Sequence, residues 1–258
     1  MLDFNHTGGG ITSTINHIID NALEAEERAS TPRSYLGGSR LGVACHRALQ
    51  FEYSQTPKDS GRDFTGQLLR IFAAGHLFED LAIKWLRLAG FELFTTKGNR
   101  PGGEQFGFET ANGRIQGHVD GIFSAGPEEF SMGYPALWEC KSMNNKSWKD
   151  TVKRGVAISK PVYAAQIAVY QAYMESQVTG ISTNPALFTA INKDTAEIYH
   201  ELVPFDGSLA QKMSDKGVRI IQATEAGELL PRISMESTHF ECKMCSFQDQ
   251  CWEKKNEY

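Results

Sequence analysis

The sequence predicts an α/β domain in which helices surround a central mixed β-sheet. Three features carry that expectation. From Thr65 to Ala89 the apolar residues Leu68, Leu69, Phe72, Leu77, Leu81, Ile83, Trp85 and Leu88 recur at the spacing of one long amphipathic helix. Strand-like runs separated by turn residues follow at 91–96, 104–110 and 114–123. The stretch PALWECKSM, 135–143, then reads as a buried strand and is followed by further helical and strand-like segments.

In chain order, residues 11–27 form a first helix, and the Pro/Ser/Gly-rich run TPRSYLGGSR after it reads as a loop. Cys45 opens a short helical stretch, CHRALQFEY. Gly90 suits the C-terminal end of the 65–89 helix, because glycine accepts the left-handed conformation helices commonly end in. Asn112-Gly113 is a hairpin turn signal between the second and third strand-like runs. After 135–143 come helices from about 145 and over 161–176, then the strands PALFTAIN and AEIYHELV on either side of Lys193-Asp194. A helix near 205–225 leads into a cysteine-rich tail. With no repeat and no convincing linker, the 258 residues read as a single domain, 1–258, with a core at about 65–203.

Bulk properties exclude some classes. Hydrophobic content of 41% and charged content of 22% are ordinary for a soluble globular protein. No apolar run approaches the roughly 20 residues needed to cross a bilayer, and the N-terminus lacks a signal-peptide pattern. These imply a cytoplasmic protein with no membrane partner. A net charge of −5 argues against a uniformly basic nucleic-acid-binding surface. Locally, however, Lys141, Lys146, Lys149, Lys153, Arg154 and Lys160 face only Asp150 within 141–160. That run is either a solvated helix face or a phosphate grip, with Trp148 available to stack a base.

Two constellations carry chemistry. On a strand, alternate residues share a face, so Gln116, His118 and Asp120 are expected on one side of 114–123, and Glu139 and Lys141 on one side of 135–143. If the strands pair, one sheet face presents two carboxylates and an ammonium. Such a set suits Mg²⁺ or Mn²⁺, which take oxygen ligands completed by water and phosphate. A nearby lysine can orient or deprotonate water, or offset developing negative charge. The spacing alone also describes an ordinary ion pair, but charges inside an apolar strand are costly and call for a reason. Cys140 alternates with Glu139 and Lys141 and is expected to pack on the opposite face.

The second constellation is Cys242, Cys245 and Cys251 near the C-terminus, with Cys45 far upstream. Four thiolates can hold a [4Fe–4S] cluster or a structural Zn²⁺. Such a group would clamp the 41–53 segment to 239–252 and restrain a long loop.

The segments HVDG around Asp120 and WECKS around Glu139 and Lys141 resemble the central motifs of the PD-(D/E)XK nuclease superfamily, whose restriction-endonuclease-like core is a mixed sheet flanked by helices. Gln166 and Tyr170, four apart on one helix face, resemble the Q-x-x-x-Y motif of its RecB-like branch. Gly75-His76-Leu77-Phe78-Glu79 resembles that branch's helix motif, which implies Glu79 as a metal ligand, with His76 as the second candidate. The cysteine layout is similar to that of the iron–sulfur members, such as CRISPR-associated adaptation nucleases and AddB-type nuclease domains, and favours iron–sulfur over zinc. The resemblance implies a divalent-metal-dependent exonuclease acting on single-stranded DNA or DNA ends, in a setting of phage recombination, repair or CRISPR adaptation. No G-x-x-x-x-G-K-[ST] motif is present, so strand opening would need a helicase, recombinase or integrase partner. Two other readings remain: a DNA-binding or end-processing subunit with little activity alone, and a zinc-finger-like regulator centred on the C-terminal cysteines.

Overall fold

A computed structural model describes residues 10–99, 102–130 and 132–253, so the outermost ends of the expected 1–258 domain lie outside the described residues. The chain runs α1 (Ile11–Ala29), β1 (Leu36–Gly37), α2 (His46–Tyr53), α3 (Gly66–Leu88), β2 (Glu92–Phe94), β3 (Gly107–Thr110), β4 (Ile115–His118), β5 (Gly121–Ala125) and β6 (Ala136–Met143). It continues through α4 (Asn145–Arg154), α5 (Val156–Ser159), α6 (Pro161–Met174), β7 (Ala186–Asn192), β8 (Ile198–Val203), α7 (Gly207–Glu225), α8 (Phe240–Lys243) and α9 (Gln248–Glu253).

Helix starts follow local chemistry. Thr65 Oγ1 accepts from Leu68 N at 3.3 Å, Asn144 Oδ1 from Ser147 N at 2.8 Å, and Asp206 Oδ1 from Leu209 N at 2.8 Å. Each bond satisfies an amide that the first helical turn leaves without a partner. Pro161 opens α6, where its missing N–H costs nothing. Gly90 takes φ +90° just past α3, as its position in the sequence leads one to expect.

The expected single central sheet is two sheets. A three-stranded sheet has the order β1-β4-β3, and a five-stranded sheet has the order β2-β5-β6-β7-β8, in which only β6 and β7 are parallel. The difference arises at Val119 and Asp120, where the expected 114–123 strand breaks. Residues up to His118 pair with β3 (Gly107↔His118), and Val119 N still donates to Phe106 O at 2.9 Å. From Gly121 onward the chain pairs instead with β6 (Gly121↔Trp138). Gln116, His118 and Asp120 therefore do not share a strand face as the alternation predicts.

β6 divides the core. Leu137 and Met143 join Phe188 on β7, Ile167 and Tyr170 on α6, and Ile220 on α7 in the main apolar cluster. Trp138 and Cys140 join Ala82 on α3, Leu93 and Phe123 in a second cluster. Each fully buried large apolar side chain contributes about 1.5–3 kcal/mol, and strict alternation along β6 sends consecutive residues into different layers. Cys140 packs as the alternation predicts. The apolar stripe of α3 is less buried than its pattern suggests: Gly66 and Ala82 are its buried residues, while Leu77 is 64% and Leu88 75% exposed. Among the described residues no helix is long and apolar enough to cross a membrane.

Candidate active site

The site forms where β5 leaves the edge of β6. β5 pairs with β6 only from Trp138 back toward Ala136, so the N–H of Cys140 would lack a partner on that edge. The Asp120 carboxylate takes it: Oδ2 accepts from Cys140 N at 2.7 Å. Asp120 is thus placed by the break between the two sheets, and it lies against β6 beside Glu139 and Lys141.

Glu139 and Lys141 share the face of β6 that meets α6. The Glu139 side chain is fully buried and hydrogen-bonds Lys141 Nζ through Oε1, while its Oε2 is buried without a partner. Lys141 Nζ also donates to Cys140 O at 3.1 Å, lies 3.7 Å from Asp120 Oδ2, and sits 5.6 Å from the centre of the Tyr163 ring. Glu79 approaches from α3 and lies in the field of Asp120, Lys141 and Asp80. His76, one turn earlier, is exposed.

The electrostatics are those of a crowded, poorly hydrated acid group. Burial first, then repulsion from Asp120, lifts Glu139 to about 8. The same two causes in the same order raise Glu79 to about 7, against the opposing pull of Lys141. Lys141 is held well above its usual value: burial works against its charge, and Glu139 and Asp120 outweigh it. As placed, no three His, Cys, Asp or Glu side chains among the described residues converge on one metal position. The Lys141 ammonium stands among the carboxylates instead.

Tyr170 is 3% and Gln166 5% exposed on α6. Burial, followed by the Glu139 charge, raises the Tyr170 pKa, and Ser39, beside its hydroxyl, pulls the other way. Gln166 makes no hydrogen bond to Lys141; Glu139, the Cys140 carbonyl and the Tyr163 ring position the lysine. Tyr163 and Ser39 escape the sequence reading. Tyr163 had a signal, since 163, 166 and 170 fall on one helix face at i, i+3 and i+7. Ser39 had none, because its loop meets α6 only through the fold. Trp148 departs from expectation: its Nε1 donates to Ala190 O at 3.0 Å and its ring packs against the main core, so it is not free to stack a base. Lys146, Lys149 and Lys153 are exposed, and Arg154 pairs with Asp150 at 2.6 Å along α4, the arrangement of a solvated helix face.

The four spaced cysteines border a common cavity without converging on one metal position among the described residues. Cys45, Cys242, Cys245 and Cys251 line one cavity of about 340 Å³, and none is disulfide-bonded. Burial, then the neighbouring cysteines among other groups, raises the Cys242 pKa. Phe247 N donates to Cys245 Sγ at 3.4 Å, and Arg47 Nη1 donates to Cys251 Sγ at 3.8 Å.

No family model and no curated protein matches the chain. Among solved structures it is similar to an alkaline exonuclease from Laribacter hongkongensis, with a TM-score of 0.50 and 14% identity over 80% of this chain and 93% of that one. The same exonuclease in complex with dAMP aligns with a TM-score of 0.49 and 13% identity over 82% and 93%. The first likeness shows the fold: the mixed sheets and flanking helices are arranged as in that exonuclease.

Proposed function

We propose that this chain is a divalent-metal-dependent deoxyribonuclease of the RecB-like iron–sulfur kind, an exonuclease acting on single strands or DNA ends. The observation that carries the reading is the junction of Asp120, Glu139, Glu79 and Lys141 where β5 leaves β6, with one Glu139 oxygen buried and unpartnered. A hard cation suits this oxygen-rich donor set, and its charge would relieve the repulsion that raises both glutamates. The solved exonuclease with this fold supports the choice of substrate.

Glu79, Asp120 and Glu139 would hold Mg²⁺ or Mn²⁺. When bound, such an ion polarises a phosphoryl oxygen and lowers the pKa of a coordinated water. Lys141, fixed by the Cys140 carbonyl and the Tyr163 ring, brings a positive charge to the phosphate and a donor to the attacking water. Tyr170 and Gln166 line the α6 side of the site and shape the strand's approach. The four-cysteine cavity would take a [4Fe–4S] cluster as a structural group, with Zn²⁺ as the alternative occupant. The two N–H···S contacts are of the kind that stabilise charged thiolates.

Degradation of end-labelled and circular DNA, single-stranded and duplex, with Mn²⁺ or Mg²⁺ tests the reading. Wild type is expected to degrade linear DNA only with metal. Asp120→Ala and Lys141→Ala are expected to lose activity by at least about a hundredfold while still unfolding in one cooperative transition, at a lower temperature because each leaves a buried group without its partner. Equal inactivity of wild type and variants across metals and substrates would overturn the enzyme assignment.

A further inference from the structure

A second cavity, of about 480 Å³, opens between the loop before α2 and the length of α7. Gly42 and His46 form one wall, and Lys212, Asp215, Lys216 and Arg219 form the other. None of these residues belongs to the acid site or to the cysteine set.

The fold builds this cleft by local rules. Lys212, Lys216 and Arg219 stand at i, i+4 and i+7, so α7 presents them along one face. Gly217 lets α7 press close to the core: a Cβ there would meet Ile115 at 2.9 Å and Leu41 at 3.2 Å. That approach brings Lys216, 8% exposed, within reach of the loop, where its ammonium donates to Leu41 O at 2.9 Å and to Val43 O. Lys216 therefore holds the wall in place and leaves its charge inside the cleft. Lys212 and Arg219 are exposed at its mouth and form no ion pair among the described residues. His46 lies in the field of Lys216 and Arg219.

The opposing charge is small. Asp215 is the one acid lining the cleft, and Gln211 Nε2 already donates to it at 2.8 Å. Outside the lining, Cys45 and then Glu241 are the groups whose negative charge would act on Lys216, and Lys212 opposes them. Three cations converging on a concave wall focus positive potential more strongly than a flat solvated face. They do so on a chain whose net charge is −5, which makes the concentration local and not a consequence of composition. Guanidinium and ammonium groups, with the backbone of Gly42 beside them, match the oxygens of a phosphate.

We propose that the cleft between the 42–46 loop and α7 is a phosphate-binding site, taking either backbone phosphates of a nucleic-acid strand or a free phosphate monoester. Its lining includes none of the acid-site residues, which makes it an anchoring site that works without turnover. It can therefore be tested whether or not the chain cleaves DNA.

The test measures binding of a labelled oligothymidylate to the Asp120→Asn chain by fluorescence anisotropy across a salt series. Calorimetry with inorganic phosphate and with a nucleoside monophosphate runs beside it. Lys212→Ala/Arg219→Ala is the test variant; both side chains are exposed, and an unchanged melting profile establishes that it folds. Removing two phosphate contacts is expected to weaken oligonucleotide binding about tenfold or more. The slope of log affinity against log salt is expected to fall by about 1.4, from roughly 0.7 per single-strand contact. Asp215→Asn is expected to shift affinity the other way, tightening it a few-fold. Loss of phosphate or monophosphate binding with unchanged oligonucleotide affinity would support the site and assign it to small phosphate ligands. If the double variant matches its parent for all three ligands, the proposal is overturned.

Discussion

At the scale of single residues, the site depends on close approaches that specific side chains permit. Tyr170 lies edge-on to Phe108, with ring centres 5.2 Å apart, and backbone presses on the pair from two sides. A Cβ on Gly117 would meet Phe108 at 2.6 Å and Tyr170 at 2.9 Å, and one on Gly38 would meet the same two rings at 2.7 and 2.9 Å. Gly117→Ala is therefore expected to destabilise the chain by about 1–3 kcal/mol through overpacking. Urea unfolding followed by circular dichroism reads the effect. A stability unchanged within about 0.5 kcal/mol would show that the rings yield freely. At this scale the sequence was informative where chemistry was locally out of place. Glu139 and Lys141 inside an apolar strand could be picked out because their burial needs a reason. The position of Asp120 was not legible, since it comes from a strand break that local alternation does not encode. Nor was the role of Gly117, which only the meeting of α6 with β3 and β4 gives it.

At the scale of elements, loops are held by side chains that stand in for missing backbone partners. Glu175, at the end of α6, accepts from Gly180 N at 2.7 Å, Ser182 N at 2.9 Å and Ser182 Oγ at 2.7 Å, tying down the turn that delivers β7. Those bonds, the Gly180 amide first, hold its pKa below the usual carboxylate value. A folded-state pKa below the unfolded one adds stability that is fully present at neutral pH and is lost as pH falls through the folded value. The melting temperature of Glu175→Gln should thus lie below wild type at pH 7, and the gap should narrow as pH drops below about 4. A gap independent of pH would remove the ionised carboxylate from the explanation. The element order itself was readable: helices over 11–27, 65–89, 161–176 and 205–225 and strands at 135–143 and 185–192 correspond to α1, α3, α6, α7, β6 and β7. The division into two sheets was not. Periodicity reports which face a residue takes, but not which neighbour its amide will choose.

At the scale of the whole molecule, the two ends of the chain are sewn together by groups other than sulfur. Asp59 accepts from Asp249 N at 2.6 Å and Gln250 N at 3.2 Å, and Arg62 donates to Gln248 Oε1 at 3.0 Å. Buried Arg47 donates to Leu230 O, Gln50 accepts from Leu230 N at 2.8 Å, and the Phe51 and Phe247 rings lie 5.4 Å apart. The cysteine spacing led one to expect a sulfur-bound clamp between these segments; the hydrogen bonds that join them were not legible, because they link residues almost two hundred positions apart. This arrangement predicts how the chain would respond to losing the proposed sulfur-bound group. A small metal module with no core of its own unfolds outright when stripped. Here the remaining contacts should keep one cooperative transition. Cys45→Ser, or anaerobic treatment with a chelator, is expected to abolish any visible absorption of the purified protein and lower its melting temperature by about 5–10 °C. That drop corresponds to roughly 2–3 kcal/mol in a domain of this size. Limited proteolysis should then cut first between α7 and α9, where the tail depends on its contacts with α2. A colourless, iron- and zinc-free wild type melting at the same temperature as Cys45→Ser would leave the cavity a packing feature. A full collapse of Cys45→Ser would instead mean that the hydrogen bonds from Arg47, Asp59 and Arg62 form only after the thiolates have been gathered.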